Sequence, residues 1–214
     1  MQIDIIFGLV VLIFSIVLHE VAHGYMAEWL GDPTARLQGR LTLNPVSHID
    51  PIGSIILPAL LLITHAPVLI GYAKPVPYNP YNLRGKYAEG LVAFAGPGTN
   101  ILLAAIFGLL IRFAAPQLGP DLIGAFALIV YINMLLALFN LIPVPPLDGS
   151  KVLSTLFGMV SPALERGYDT FRLNFERLGV LSGTLLILVV FYFLAPYFSV
   201  FLLALFTLLT GVSL

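Results

Sequence analysis

Two histidines four residues apart, with a glutamate directly after the first, stand near the end of the first long apolar run: His19-Glu20-Val21-Ala22-His23. On a helix, residues i and i+4 lie about 40° apart around the axis, so both imidazoles reach one metal ion. Glu20 lies about 100° round from His19, which puts it beside a metal-activated water and not among the ligands. The chemistry this pattern performs is metal-assisted hydrolysis with Glu20 as general base. Its setting is apolar, and ionisable groups at membrane depth are costly enough to point to a function.

Two imidazoles leave such a site incomplete, because catalytic zinc takes three protein ligands and keeps a fourth position open. The chain has no cysteine, so the third ligand must be His, Asp or Glu. Near apolar sequence these are His48, Asp50, His65, Glu89, Asp121 and Asp148. Asp148 stands out. It follows Asn140-Leu141-Ile142-Pro143-Val144-Pro145-Pro146-Leu147 directly after a span, and the three prolines forbid a regular helix there. Unwound backbone beside a buried carboxylate needs a polar cavity, which a metal site supplies. His48, in a polar loop after the first span, is the competing ligand, and Asp148 has an ordinary alternative as the cap of a helix beginning near Ser150.

The elements that must carry these residues read as membrane spans. With 59% hydrophobic and 10% charged residues among 214, the chain lacks the polar surface to cover a soluble globule. Its mean hydropathy of +0.99 agrees with an integral membrane protein. A net charge of −1 with no basic stripe argues against nucleic acid as a partner. There is no basic n-region or small-residue cleavage site ahead of His19, so the first run is expected to be a retained span. That span covers roughly 5–30 and ends at Gly31-Asp32-Pro33. Residues 35–44 alternate apolar and polar with a period of two, which predicts a short half-buried β-strand. Residues 52–70 are apolar but carry Pro58, His65 and Pro67. The stretch Gly71-Tyr72-Ala73-Lys74-Pro75-Val76-Pro77-Tyr78-Asn79-Pro80 must be extended or turning. Further spans follow at 88–115, containing Gly96-Pro97-Gly98-Thr99-Asn100, and at 121–142. An amphipathic helix over 162–178 is expected to lie at the membrane interface, and 180–213 reads as a pair of short helices broken at Ala195-Pro196.

Together, His-Glu-x-x-His in an early span, Gly-Pro-Gly-Thr-Asn in a central one, and Asn-x-x-Pro followed by Leu-Asp-Gly after a later one resemble the site-2 protease family of intramembrane zinc metalloproteases. The resemblance covers about residues 12–152, and the Gly71–Pro80 segment also resembles a stretch found in compact bacterial and archaeal members. It implies an intramembrane zinc metalloendopeptidase with one Zn2+ per chain, held by His19, His23 and Asp148. Glu20 is then the general base, and Asn100 and Asn140 position substrate or polarise the scissile carbonyl. It further implies single-span membrane proteins as substrates, cut in or next to their transmembrane segments in regulated intramembrane proteolysis. The chain looks like a compact member, without the PDZ or nucleotide-sensing domains of larger ones. A rival reading is a membrane transporter or metal channel, with His19, His23 and Asp148 as a transient ion site and Glu20 as a proton relay.

The fold expected is an all-α polytopic membrane protein. It is one domain over 1–214, with a catalytic core at about 5–152 and about five to six transmembrane segments. A re-entrant hairpin at 52–70 and the short β-strand region complete it. The hairpin follows from depth: if His19, His23 and Asp148 share a metal, the first and the 121–142 spans must end on one side, so 52–70 must return. Nine of the ten Lys and Arg, all but Arg112, then fall on the active-site side. By the positive-inside rule that side faces the cytoplasm, in the cell membrane of a prokaryote. A strand at 35–44 would also offer substrate an edge for strand addition.

Overall fold

A computed structural model describes residues 5–63, 71–177 and 180–212 of the chain, and among these there are helices, turns and irregular segments but no strand. Four helices are long and apolar enough to cross a membrane: Ile5–Trp29, Ala88–Gln117, Pro120–Asn140 and Tyr192–Thr210. Apolar residues on every side leave the backbone no polar surroundings, and a helix satisfies its N–H and C=O groups internally. At about 1.5 Å per residue, the 25 residues of α1 (Ile5–Trp29) reach about 37 Å, enough to span a hydrocarbon core. Gly31, with φ of 106°, turns the chain away from α1 in a conformation that side chains resist.

A short helix α2 (Thr34–Leu37), an irregular stretch and α3 (Leu57–Ile63) come next. The α4 helix (Ala88–Ala114) then runs antiparallel to α1, since Asn100 bonds to Ser15 while Val92 bonds to His23. A tight connection leads into α5 (Pro120–Asn140), which opens on Pro120 with Asp121 in its first turn, both favourable at a helix start. After the loop 141–147 come α6 (Asp148–Val160), α7 (Pro162–Arg177) and α8 (Val180–Thr210). The end of α8 meets the end of α4, where Arg112 donates to the Leu208 carbonyl. Hence α1 and α5 run one way and α4 and α8 the other.

Ala104, Ile111, Val130, Met134, Leu202 and Phe206 form an apolar core between α4, α5 and α8. On the side away from Arg112, α6 packs on α4, and α7 braces both. The Arg172 guanidinium on α7 pairs with Glu89 on α4 at 3.0 Å and with Asp169 at 3.2 Å. Asp169 also accepts from Ser154 on α6 at 2.6 Å, and the Tyr168 hydroxyl donates to the Pro143 carbonyl at 2.9 Å.

Three expectations differ from this architecture. The β-strand over 35–44 is absent: Thr34–Leu37 is helical, Gly39 turns the chain with φ of 65°, and Pro45–His48 is a 3-10 turn. A period of two marks a strand only when a partner stands beside it. Here Leu37 points outward, 80% exposed, while Arg40 is buried. Strand addition at 35–44 falls with it. The 52–70 hairpin is not supported either. Its first limb is a π-helical turn running into α3, and 64–70, with His65, lie outside the described residues. The C-terminal pair is instead one helix of 31 residues with Pro196 inside it. Neighbouring helices re-satisfy a carbonyl freed by proline at membrane depth, so proline need not end a span. Among the described residues four helices are of span length, beside the five to six segments expected.

Candidate metal centre

His19 and His23 stand one turn apart on the face of α1 that meets α4, and Asp148 reaches them from the first turn of α6 across 129 positions of sequence. One side-chain atom from each forms a nearly equilateral triangle. His23 Nε2 and His19 Nε2 are 3.1 Å apart, and Asp148 Oδ2 lies 3.2 Å from the former's neighbour His19 and 3.3 Å from His23. Bonds of about 2.0–2.1 Å in tetrahedral zinc put ligand atoms about 3.3 Å apart, so this triangle matches one face of such a polyhedron. Among the described residues it is the one group of three or more His, Cys, Asp or Glu drawn together in this way.

The opposite ring nitrogens fix which tautomer each histidine adopts. His23 Nδ1 lies 2.7 Å from the Val92 carbonyl, which can only accept, so Nδ1 carries the proton and Nε2 keeps its lone pair. For His19 two buried amides decide the tautomer. The Ile129 carbonyl, 2.9 Å from Asn133 Nδ2, orients Asn133 so that its oxygen faces Asn100. Asn100 Nδ2 donates to that oxygen at 2.9 Å and to the Ser15 carbonyl at 3.3 Å, which turns Asn100 Oδ1 onto His19 Nδ1 at 2.6 Å. His19 Nδ1 must then donate, leaving Nε2 free to ligate.

A second observation concerns space. A Cβ built on Gly96 of α4 would lie 2.3 Å from His23 Nε2 and 2.6 Å from His19 Nε2. The glycine keeps open the volume next to both ligating nitrogens, close to bonding distance from each. Ligand donors, tautomers and free volume therefore all fit a zinc ion.

The loop before α6 aims Asp148. Leu147 N donates to the Val144 carbonyl at 2.9 Å and Ser150 Oγ to the Leu147 carbonyl at 2.7 Å, a tight turn that starts α6 at Asp148. Asp148 sits at the first helical position, with Leu147 and not Asp148 as the cap. One turn on, burial pulls the Lys151 ammonium down, and Tyr78, Asp148 and Glu89 more than offset it, so Lys151 keeps its charge.

The other expected residues lie elsewhere. Glu20 faces the 71–79 segment, where its Oε2 accepts from Val76 N at 2.8 Å. Asn100, expected to touch substrate, is fully enclosed, with its amide taken by His19, Ser15 and Asn133. Asn140 donates to the Leu136 carbonyl of its own helix at 2.9 Å. His48, the competing ligand, bonds through Nε2 to the Thr42 carbonyl at 2.9 Å and stands outside the triangle. Ser15 and Asn133 belong to the site although the spacing of its motifs does not reveal them. Each had a signal: Ser15 is one turn before His19 on the same face, and Asn133 is an amide in the middle of an apolar span.

The profile of Peptidase family M50 matches residues 114–189. Over 157 residues the chain is 40% identical to YwhC of Bacillus subtilis, a protein named as a candidate zinc metalloprotease, in a match covering 69% of this chain and 67% of that one. Rip2 of Mycolicibacterium smegmatis, named in the same way, is 31% identical over 138 residues, covering 64% of this chain and 52% of its own. MJ0611 of Methanocaldococcus jannaschii, again so named, is 45% identical over 65 residues, 30% of this chain and 33% of that protein. The match thus spans two thirds of the Bacillus relative and about half of the mycobacterial one. No solved structure matches the chain.

Proposed function

The chain belongs to peptidase family M50, the site-2-type zinc metalloproteases, and from that premise we propose that it hydrolyses peptide bonds in or next to transmembrane segments of single-span membrane proteins, as in regulated intramembrane proteolysis. It is a zinc metallopeptidase and an integral membrane protein. The observation that carries the fuller reading is the triangle of His19 Nε2, His23 Nε2 and Asp148 Oδ2, in which two histidines of one span meet a carboxylate from beyond another.

In this reading His19, His23 and Asp148 hold zinc, and Asn100, with Asn133 behind it, keeps His19 in the ligating tautomer. When bound, zinc supplies Lewis acidity, bringing the pKa of water to about 7 and polarising the scissile carbonyl. Glu20 takes a proton from the attacking water on its carboxylate and returns it to the leaving amine. Asp148 and both histidines are mostly screened from solvent, with side-chain exposures of 19%, 8% and 12%, so charge developing near them is weakly screened. Nine of ten cations lie on the side of the chain that carries α6 and α7, which supports a site opening toward the cytoplasm of a prokaryotic cell membrane.

The test uses purified wild type and Glu20→Gln, measured for zinc and for cleavage of a panel of single-span substrates. The expected result is one zinc in both proteins and cleavage in the wild type alone. Ion flux through reconstituted protein without cleavage would instead favour the transient ion site.

A further inference from the structure

Segment 71–79 crosses the top of the site as an extended strap, and its hydrogen bonds are one-sided. Tyr72 N donates to the Gly53 carbonyl at 3.1 Å, Lys74 N to the His48 carbonyl at 2.9 Å, and Val76 N to Glu20 Oε2 at 2.8 Å. These alternate positions all face the protein. Positions 75 and 77 between and beyond them are prolines, which have no N–H to offer. With Ala73 the one position among 73, 75 and 77 that keeps an N–H, the strap is a poor template for further pairing along that edge. It is built to deliver donors inward, and the last of these goes to the catalytic glutamate.

Its seat is specific at the same point. Val76 is 5% exposed and lies on α1 at Gly24, one turn after Glu20; a Cβ at Gly24 would come within 2.8 Å of Val76 Cγ1. A Cβ at Gly53 would likewise come within 2.4 Å of the Tyr72 ring. Arg40 Nη2 donates to the Lys74 carbonyl at 3.0 Å, and Asn79 N donates to Asp32 Oδ2 at 2.7 Å. At Tyr78 the strap touches α6, its hydroxyl 3.0 Å from Lys151 Nζ. The donor at Val76 is thus clamped on both sides along the chain, and the prolines flanking it restrict its own backbone to extended geometry.

We propose that the main-chain N–H of Val76 is a positioning group for Glu20. It holds Oε2 and fixes the rotation of the carboxylate, so that Oε1 is the oxygen left to accept the proton from water and pass it to the leaving amine. A glutamate free on a helix surface samples several rotamers, and a charge-assisted hydrogen bond from a rigid donor selects one. This inference rests on the reading of Glu20 as general base.

The test replaces the amide at position 76 by an ester, introducing the α-hydroxy analogue of valine by nonsense suppression in the full chain. This removes the N–H and keeps the side chain. Misplacing a catalytic group by about 1 Å can cost about 100-fold, so kcat should fall about 10- to 100-fold while KM and zinc content stay within about twofold. Val76→Ala keeps the N–H and should lose no more than a few-fold in kcat. Gly24→Ala, whose Cβ would press on Leu41 Cδ2 at 2.5 Å as well as on Val76 Cγ1 at 2.8 Å, should lower kcat with zinc retained, and it serves where the ester protein does not fold. An ester protein or Gly24→Ala with wild-type kcat, beside an inactive Glu20→Gln, overturns the proposal and leaves the role of Glu20 standing. Equal losses in Val76→Ala and in the ester, with zinc or KM altered, would make the strap a packing element only. Cleavage by Glu20→Gln would overturn the underlying reading itself.

Discussion

At His19 the deciding bond is made by the nitrogen that faces away from the ligand triangle. Backbone carbonyls of Ser15 and Ile129 orient Asn100 and Asn133, and that orientation protonates His19 at Nδ1. Asn133→Ala should therefore weaken zinc binding by about 10- to 100-fold, read as the chelator concentration that strips the metal, although Asn133 touches no ligand atom. Unchanged affinity would show that His19 keeps its tautomer without the relay. Gly96→Ala should be harsher, since its Cβ would fall 2.3 Å from His23 Nε2; we expect a folded protein with no retained zinc. Metal at wild-type stoichiometry in that variant would mean that α4 can shift away from α1. At this scale the sequence was legible in part. His19, Glu20 and His23 declare themselves because their chemistry depends on local helical spacing. Asp148 needed the proline-rich loop before it, and the enclosed position of Asn100 could not be read at all, because burial between three helices leaves no mark in local spacing.

Among the elements, the strap and α7 do the positioning, and each has a polar anchor. For Asp32, burial pushes the carboxyl up, while hydrogen bonds from Thr34, Asn82 and Asn79 N outweigh it and hold the group below its ordinary value. A carboxyl held low in the fold stabilises at pH above its unfolded value, and that contribution is lost as pH falls through the folded one. The stability gap between wild type and Asp32→Asn should thus be constant at neutral pH and close only in acid, below about pH 3.9. Thermal unfolding of both proteins across pH checks this, and a gap that closes near neutrality would contradict it. For α7, Arg172→Ala removes a cation shared by Glu89 and Asp169. Both carboxylates are about a third exposed, so the loss should be about 1–2 kcal/mol, not the larger cost of stranding a buried charge. The spans were legible because an apolar run of that length has one stable form in lipid. The strand expected at 35–44 was not, because pairing depends on a partner elsewhere in the chain, and the alternation there reflects a helical turn followed by a stretch under the strap.

For the whole molecule, the alternating directions of α1, α4, α5 and α8 gather residues 30–63, 71–87 and 141–177 at one end and leave Arg112 near the other. The chain has no cysteine, so single reporters are clean. Tyr81→Cys, at a side chain 97% exposed, should be labelled by an impermeant thiol reagent only once the cytoplasmic side is opened, and Gln117→Cys from outside in intact cells. The reverse pattern would invert the orientation. The alternating directions of α1, α4 and α5 were readable from the need to bring two half-sites to one depth. The continuity of α8 was not, because Pro196 reads as a break although the helix continues through it. The central claim is that the two half-sites, 129 residues apart, share a single metal. Zinc per chain in purified wild type, His19→Ala, His23→Ala, Asp148→Ala and His48→Ala tests it most directly. One zinc is expected in the wild type and in His48→Ala, with loss in the other three, whereas full zinc in Asp148→Ala with loss in His48→Ala would contradict a metal shared by the two half-sites.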